Sequence, residues 1–100
     1  MTDEFAPVTP GEMLAEEFLA EYCLSKAQLA DAIGVPARKV SEIVANRRRI
    51  DADTALRLSL YFGNSAQFWL NLQNRYDLKM AAEKLDPAEA ARIKAVPPTE

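Results

Sequence analysis

The placement of helix start and stop signals constrains this chain more than any other feature. Thr9-Pro10 followed by Glu12, Ser25 followed by Gln28, Pro36, Asp51, Asn64-Ser65 and Asp86-Pro87 each read as a helix N-terminus. A short oxygen-bearing side chain satisfies amide hydrogens that the first turn leaves free. Proline suits the first helical position, where an N–H would have no partner in any case. Gly34 and Gly63 read as stops, because glycine enters the left-handed conformation without a steric penalty. The chain is therefore expected to be all-α, with five main helices and a short sixth.

Within each segment the apolar residues keep helical spacing. The first helix, opening at Thr9, should bury Met13, Leu14, Phe18 and Tyr22 and leave Glu12, Glu16 and Glu17 in solvent. The second buries Leu29 and Ile33. The third, with Pro36 in its first position, buries Val40, Ile43 and Val44. Its opposite side carries Arg38, Ser41, Glu42 and Ala45, flanked by Ala37 and Lys39. The fourth, capped by Asp51, offers Ala55, Leu56, Leu58, Leu60 and Phe62 to the core. The fifth, capped by Asn64 or Ser65, has a stripe of Phe68, Trp69, Leu72 and Tyr76, with Leu70 and Leu78 off it. A helix apolar on more than one side has more than one neighbour. The segment after Asp86 has few apolar residues and is expected to fray.

One hundred residues make one domain, and 49% hydrophobic content is that of a folded chain. A domain of this size buries only about two-thirds of its unfolded surface, so support from a second subunit is in play. The single cysteine, Cys23, excludes an internal disulfide and is expected to be a small buried hydrophobe in a reducing compartment. No apolar run approaches the roughly 20 residues of a membrane span. The start, "MTDEFAPV", lacks the basic residues of a signal peptide. The expectation is a soluble, cytoplasmic protein with no membrane association. The chain has no histidine, and one cysteine cannot build a zinc site. There is no glycine-rich phosphate loop, and the carboxylates scatter over helix faces. Neither an enzyme, a metal nor a cofactor is expected.

Charge is unevenly distributed. Residues 1–24 carry six acids and no bases, residues 25–60 carry seven bases against four acids, and residues 61–100 carry five of each, which together give the net −3. A basic middle in an acidic chain points to a local affinity for phosphate.

That basic middle coincides with a motif. Residues 25–45 meet the requirements of a helix-turn-helix: Ala30 as the small residue where the helices cross, Gly34 in the turn, and Leu29, Ile33, Val40 and Ile43 locking the second helix onto the first. A plain three-helix packing would share these letters but leaves the basic outer face without a purpose. In a helix-turn-helix the second helix lies in the major groove with its N-terminal residues on base edges. Those residues are Ala37, Arg38, Lys39 and Ser41. Arginine pairs bidentately with guanine, and serine bonds to several bases. Arg47, Arg48 and Arg49 follow where phosphates are expected to pass, and Lys26 could also reach the backbone. A competing arrangement for Arg38 is an i,i+4 ion pair with Glu42.

The segments "TPGEMLAEEFL" and "LADAIGVPARKVSEIVANRRRIDADTALRLSLYFGNSAQFWLNLQNRYDL" resemble the HigA-type antitoxins, a branch of the Xre-like, lambda-repressor-like helix-turn-helix proteins. The resemblance runs from about Thr9 to Leu78. "DTALRLSLYFG" and "FWLNLQNRYDL" are its specific part. Thr9 departs from the histidine often found before Pro-Gly-Glu, and threonine serves equally as a cap. The resemblance implies a homodimer that binds an operator in its own promoter, represses it, and neutralises a HigB-type toxin, a ribosome-dependent mRNA endonuclease. The same branch holds stand-alone Xre-type regulators without a toxin. Similar proteins pair through their C-terminal helices, which agrees with the surplus apolar residues Leu70 and Leu78. The organisation expected is a tail over 1–8 and a DNA-binding domain over 9–84, including a dimerisation helix over 65–84. A short helix and tail follow over 85–100. Two recognition helices in such a dimer would stand about 34 Å apart on a palindromic site.

Overall fold

The computed structural model describes residues 9–97. The segment 1–8, read as a tail, and the last three residues lie outside the described residues. Among those described, every regular element is helical: α1 Pro10–Glu12, a π-helical segment Met13–Leu19 continuous with it, α2 Lys26–Ile33, α3 Ala37–Val44, α4 Ala52–Phe62, α5 Ala66–Lys84 and α6 Pro87–Arg92.

Each helix except α3 begins where the sequence placed a cap. The Thr9 hydroxyl accepts from the Glu12 amide at 3.1 Å while the Glu12 carboxylate accepts from the Thr9 amide at 3.2 Å. Ser25 and Gln28 repeat this box at 3.0 and 2.8 Å. Asp51 accepts from the Thr54 amide at 2.9 Å, and Asp86 from Ala88 at 3.1 Å. Of the two candidates for α5, Ser65 is the cap, accepting from Phe68 at 3.0 Å. Asn64 instead accepts the indole N–H of Trp69 at 3.0 Å. Pro36 is the N-cap of α3, with extended ψ of 144°, and Ala37 rather than Pro36 is the first helical residue.

Three helix ends close in the same way. Cys23, Gly34 and Asn46 adopt φ of 55°, 74° and 64°. In each case the following amide reaches back five residues: Leu24 to the Leu19 carbonyl, Val35 to Ala30 and Arg47 to Glu42, at 2.9, 3.0 and 2.8 Å. This is the Schellman closure. Only the middle one uses glycine. Cys23 is exposed, against the expectation of burial, because it occupies this turn rather than the helix face.

α2 packs on α3 in the helix-turn-helix, α4 packs on α5 and α2, and α1 rests on α3 and α5. The core gathers Leu14, Leu29, Ile43, Ile50, Leu58 and Trp69, all essentially inaccessible. Phe18 reinforces it, its ring 4.8 Å from those of both Phe62 and Trp69.

Two apolar stripes differ from the sequence expectation. In the first helix Leu19 is buried and Tyr22 is 55% exposed. The π register bonds residue i to i+5, as in Ala20 to the Ala15 carbonyl, so Leu14 and Leu19 share the inward face. In α4 only Ala55, Leu58 and, in part, Phe62 of the five expected residues turn inward. Leu56 and Leu60 face solvent, one helical turn apart on the side away from α5 and the core.

The C-terminal part departs from compactness. Every residue from Ala81 to Pro97 is exposed, and α6 has no buried residue. The radius of gyration is 17.1 Å, against about 13 Å for a compact 100-residue domain. The end of α5 and α6 form an arm standing off the globule, with Leu85, Ile93 and Val96 exposed on it and Leu78 exposed just before it. No helix among the described residues is long and apolar enough to cross a membrane.

Candidate nucleic-acid interface

The turn between α2 and α3 is held by a residue that the sequence reading did not single out. Arg57 of α4 donates through Nη1 to the carbonyls of Ile33 at 2.8 Å and Gly34 at 3.4 Å. A cation at these terminal carbonyls satisfies their lone pairs and opposes the negative end of the α2 dipole. Asp53 holds the same guanidinium through Nε at 2.9 Å. The i,i+4 spacing of Asp53 and Arg57 is visible in the sequence. Their targets, 24 and 23 residues away, are not.

α3 is held by buried Val40 and Ile43, and it presents Ala37, Arg38 and Ala45 outward with Ser41 and Glu42 half-buried between them. Arg38 is 83% exposed, with Nε 3.7 Å from Glu42 Oε2. The predicted i,i+4 pair is therefore present, but loose. Arg48 makes the tighter bond to the same carboxylate, Nε to Oε1 at 2.8 Å. That bond, reinforced by the charges of Arg48, Arg38 and Arg47, holds the Glu42 carboxyl below its usual range. Glu42 is thus the point around which three guanidinium groups collect. Exposed pairs of this kind are worth little in water and are readily exchanged for other anions.

The loop after α3 is fixed by α5. Asn46 Nδ2 donates to the Tyr76 hydroxyl at 2.7 Å. Arg49 Nη2 donates to Asp77 Oδ2 at 2.6 Å. The Ile50 amide donates to Gln73 Oε1 at 2.7 Å, and Gln73 Nε2 donates on to Asp77 Oδ1 at 2.9 Å. Burial alone would raise the Asp77 pKa. The bonds from Arg49 and Gln73 more than offset this and hold it below the usual range. Three ties, from Asn46, Arg49 and Ile50, thus converge on one stretch of α5.

The structure sorts the residues expected to meet DNA. Arg38, Arg47 and Arg48 come together with Ser41 and Ala37 on the outer side of α3 and its loop. Arg47 has no ion pair or side-chain hydrogen bond among the described residues, and Lys26, exposed at the start of α2, has none either. Lys39 turns the other way: its side chain is 18% exposed, with Nζ 4.0 Å from the Asp51 carboxylate. Arg49 points to α5. Leu70 is half-buried against the core, whereas Leu78 is 70% exposed. No cluster of three or more metal-ligating side chains occurs among the described residues.

The helix-turn-helix family profile matches residues 17–69. Virulence-associated protein I of Dichelobacter nodosus is 51% identical over 81 residues, covering 81% of this chain and 75% of that protein. Antitoxin HigA-1 of Vibrio cholerae serotype O1 is 40% identical over 72 residues, covering 72% and 68%. Among solved structures, the Pseudomonas aeruginosa antitoxin HigA with the higBA promoter superposes with a TM-score of 0.85 at 45% identity, covering 89% of this chain and 97% of that one.

Proposed function

The chain belongs to the helix-turn-helix family, in its branch of HigA-type antitoxins and DNA-binding regulators rather than enzymes, and we propose that it represses its own operon and neutralises a HigB-type mRNA endonuclease toxin. The observation that carries the DNA-binding part is the collection of Arg38, Arg47 and Arg48 around Glu42 on the free side of α3. Phosphate or a base edge can take the place of Glu42 for Arg38 and Arg48, and Arg47 has no partner among the described residues to give up. Arg38, Ser41 and Ala37 lie at the N-terminal half of α3, where base edges are read. Arg47 and Arg48, together with Lys26, suit the backbone.

The chain acts as a homodimer in the cytoplasm. The arm formed by the end of α5 and α6 supports this reading, since Leu85 and Ile93 on it, and Leu78 just before it, are apolar and uncovered. The toxin half rests on likeness to a relative that bears the antitoxin name. Glu16 and Glu17, with Glu21 in the turn that follows, form an exposed acidic side at the first helix that suits a basic RNase surface.

The deciding experiment expresses the small neighbouring reading frame with and without this chain and follows growth. Arrest relieved by co-expression, with the two proteins co-purifying, is the expected result. Absence of arrest, or arrest that this chain does not relieve, makes it a stand-alone regulator. Glu16→Lys with Glu17→Lys should weaken toxin binding, and unchanged affinity rejects the acidic face as the contact.

A further inference from the structure

The three arginines after α3 are adjacent in sequence but differ in their surroundings. Arg47 has no partner among the described residues, Arg48 shares Glu42 with Arg38, and Arg49 leaves the DNA-facing side for Asp77. Asp77 is itself fixed by Gln73, a side chain only 3% exposed that also accepts the Ile50 amide. Tyr76, between the two, accepts from Asn46, the left-handed residue that ends the recognition helix. Both ends of the loop 46–50 are therefore tied to α5, and Arg47 and Arg48 lie between the ties.

We propose that Arg49 is a tether rather than a phosphate contact, and that Gln73, Tyr76 and Asp77 are positioning residues that hold Arg47 and Arg48 toward the DNA backbone. A loop fixed before binding loses less conformational freedom when it meets phosphate, so the tethers raise affinity without touching DNA. This inference rests on the DNA-binding reading above.

The two roles of Arg49 predict opposite signs. If Arg49 contacted phosphate, Asp77→Asn would release it, remove a negative charge, and tighten binding. As a tether it loses its anchor, and binding weakens by about two- to fivefold, the range of a partly exposed ion pair. The measurement is affinity for a duplex taken from upstream of the chain's own reading frame, over a salt series, with the thermal midpoint of each variant alongside. Tyr76→Phe alters no charge and barely alters volume, and it should weaken binding in the same range. The charge swap Arg49→Asp with Asp77→Arg should recover most of the affinity that Arg49→Asp alone loses. Tighter or unchanged binding by Asp77→Asn, or no recovery in the swap, overturns the tether. Unchanged binding by Tyr76→Phe removes Tyr76 from the assignment. If the wild-type chain itself shows no salt-sensitive binding, the DNA-binding reading fails, and that result is distinct from failure of the tether alone.

Discussion

Gly11 lies directly against the main chain of Val44, so closely that a β-carbon on Gly11 would stand 2.6 Å from the Val44 carbonyl oxygen and would also overlap that of Ile43. The turn of α1 thus supports the end of the recognition helix by backbone-to-backbone approach. No flexible side chain can yield there. Gly11→Ala should destabilise the fold by about 1–3 kcal/mol, as overpacking of a close contact does. A denaturant midpoint equal to that of the wild type would mean that the two segments separate without penalty.

Arg38 is the exposed guanidinium nearest the N-terminal half of α3, and its bond to Glu42 is loose at 3.7 Å. Arg38→Ala should relax operator preference at one base by about 1–3 kcal/mol, whereas Arg48→Ala should weaken all sequences alike. Binding to a panel of single-base operator variants separates the two. An intact preference in Arg38→Ala would remove this face from base reading.

Asp51 ties the arginine loop to α4 by capping it, and the Thr54 backbone amide is the main cause of its lowered pKa. Because the folded value lies below the unfolded value of about 3.9, the unfolded chain binds more protons between them and stability rises with pH. The contribution is fully present above the unfolded value and is lost as pH falls through the folded one. Asp51→Ala should cost about 0.5–2 kcal/mol at neutral pH. Urea unfolding repeated at decreasing pH should show that gap narrowing only below the ordinary aspartate range.

Leu78 is 70% exposed on α5 just before the arm. Leu78→Glu should leave the thermal midpoint of the isolated protomer unchanged and shift sedimentation from dimer toward monomer. Equal sedimentation of variant and wild type would place the subunit contact elsewhere.

The features legible in the sequence were those whose partners lie within four residues. The boxes at Thr9–Glu12 and Ser25–Gln28, the Asp51 cap and the stop at Gly34 follow from local chemistry, and the helix-turn-helix follows from them with Ala30, Val40 and Ile43. Features that depend on distant partners were not legible. Leu56 and Leu60 have the same letter and spacing as core residues, and only the positions of α2 and α5 decide that they face solvent. Arg49 and Arg47 are equivalent in sequence, and they differ because Asp77 lies beside one of them, 28 residues on. Gln73 is buried because it accepts a main-chain amide, which no side-chain pattern encodes. Tyr22 faces solvent because the π register changes which residues align, whereas spacing arguments assume the α register.

Trp69 is the only tryptophan of the chain, it has no accessible surface, and its indole N–H is bonded to Asn64. It lies among Phe18, Phe62 and Phe68, in the core rather than on the basic loop. The protein therefore carries an intrinsic fluorophore whose emission will shift to the red when the core opens. Nucleic acid added to the outer face of α3 does not touch it. The same cuvette can report the integrity of the fold while binding is followed by the anisotropy of a labelled duplex, without any dye attached to the protein.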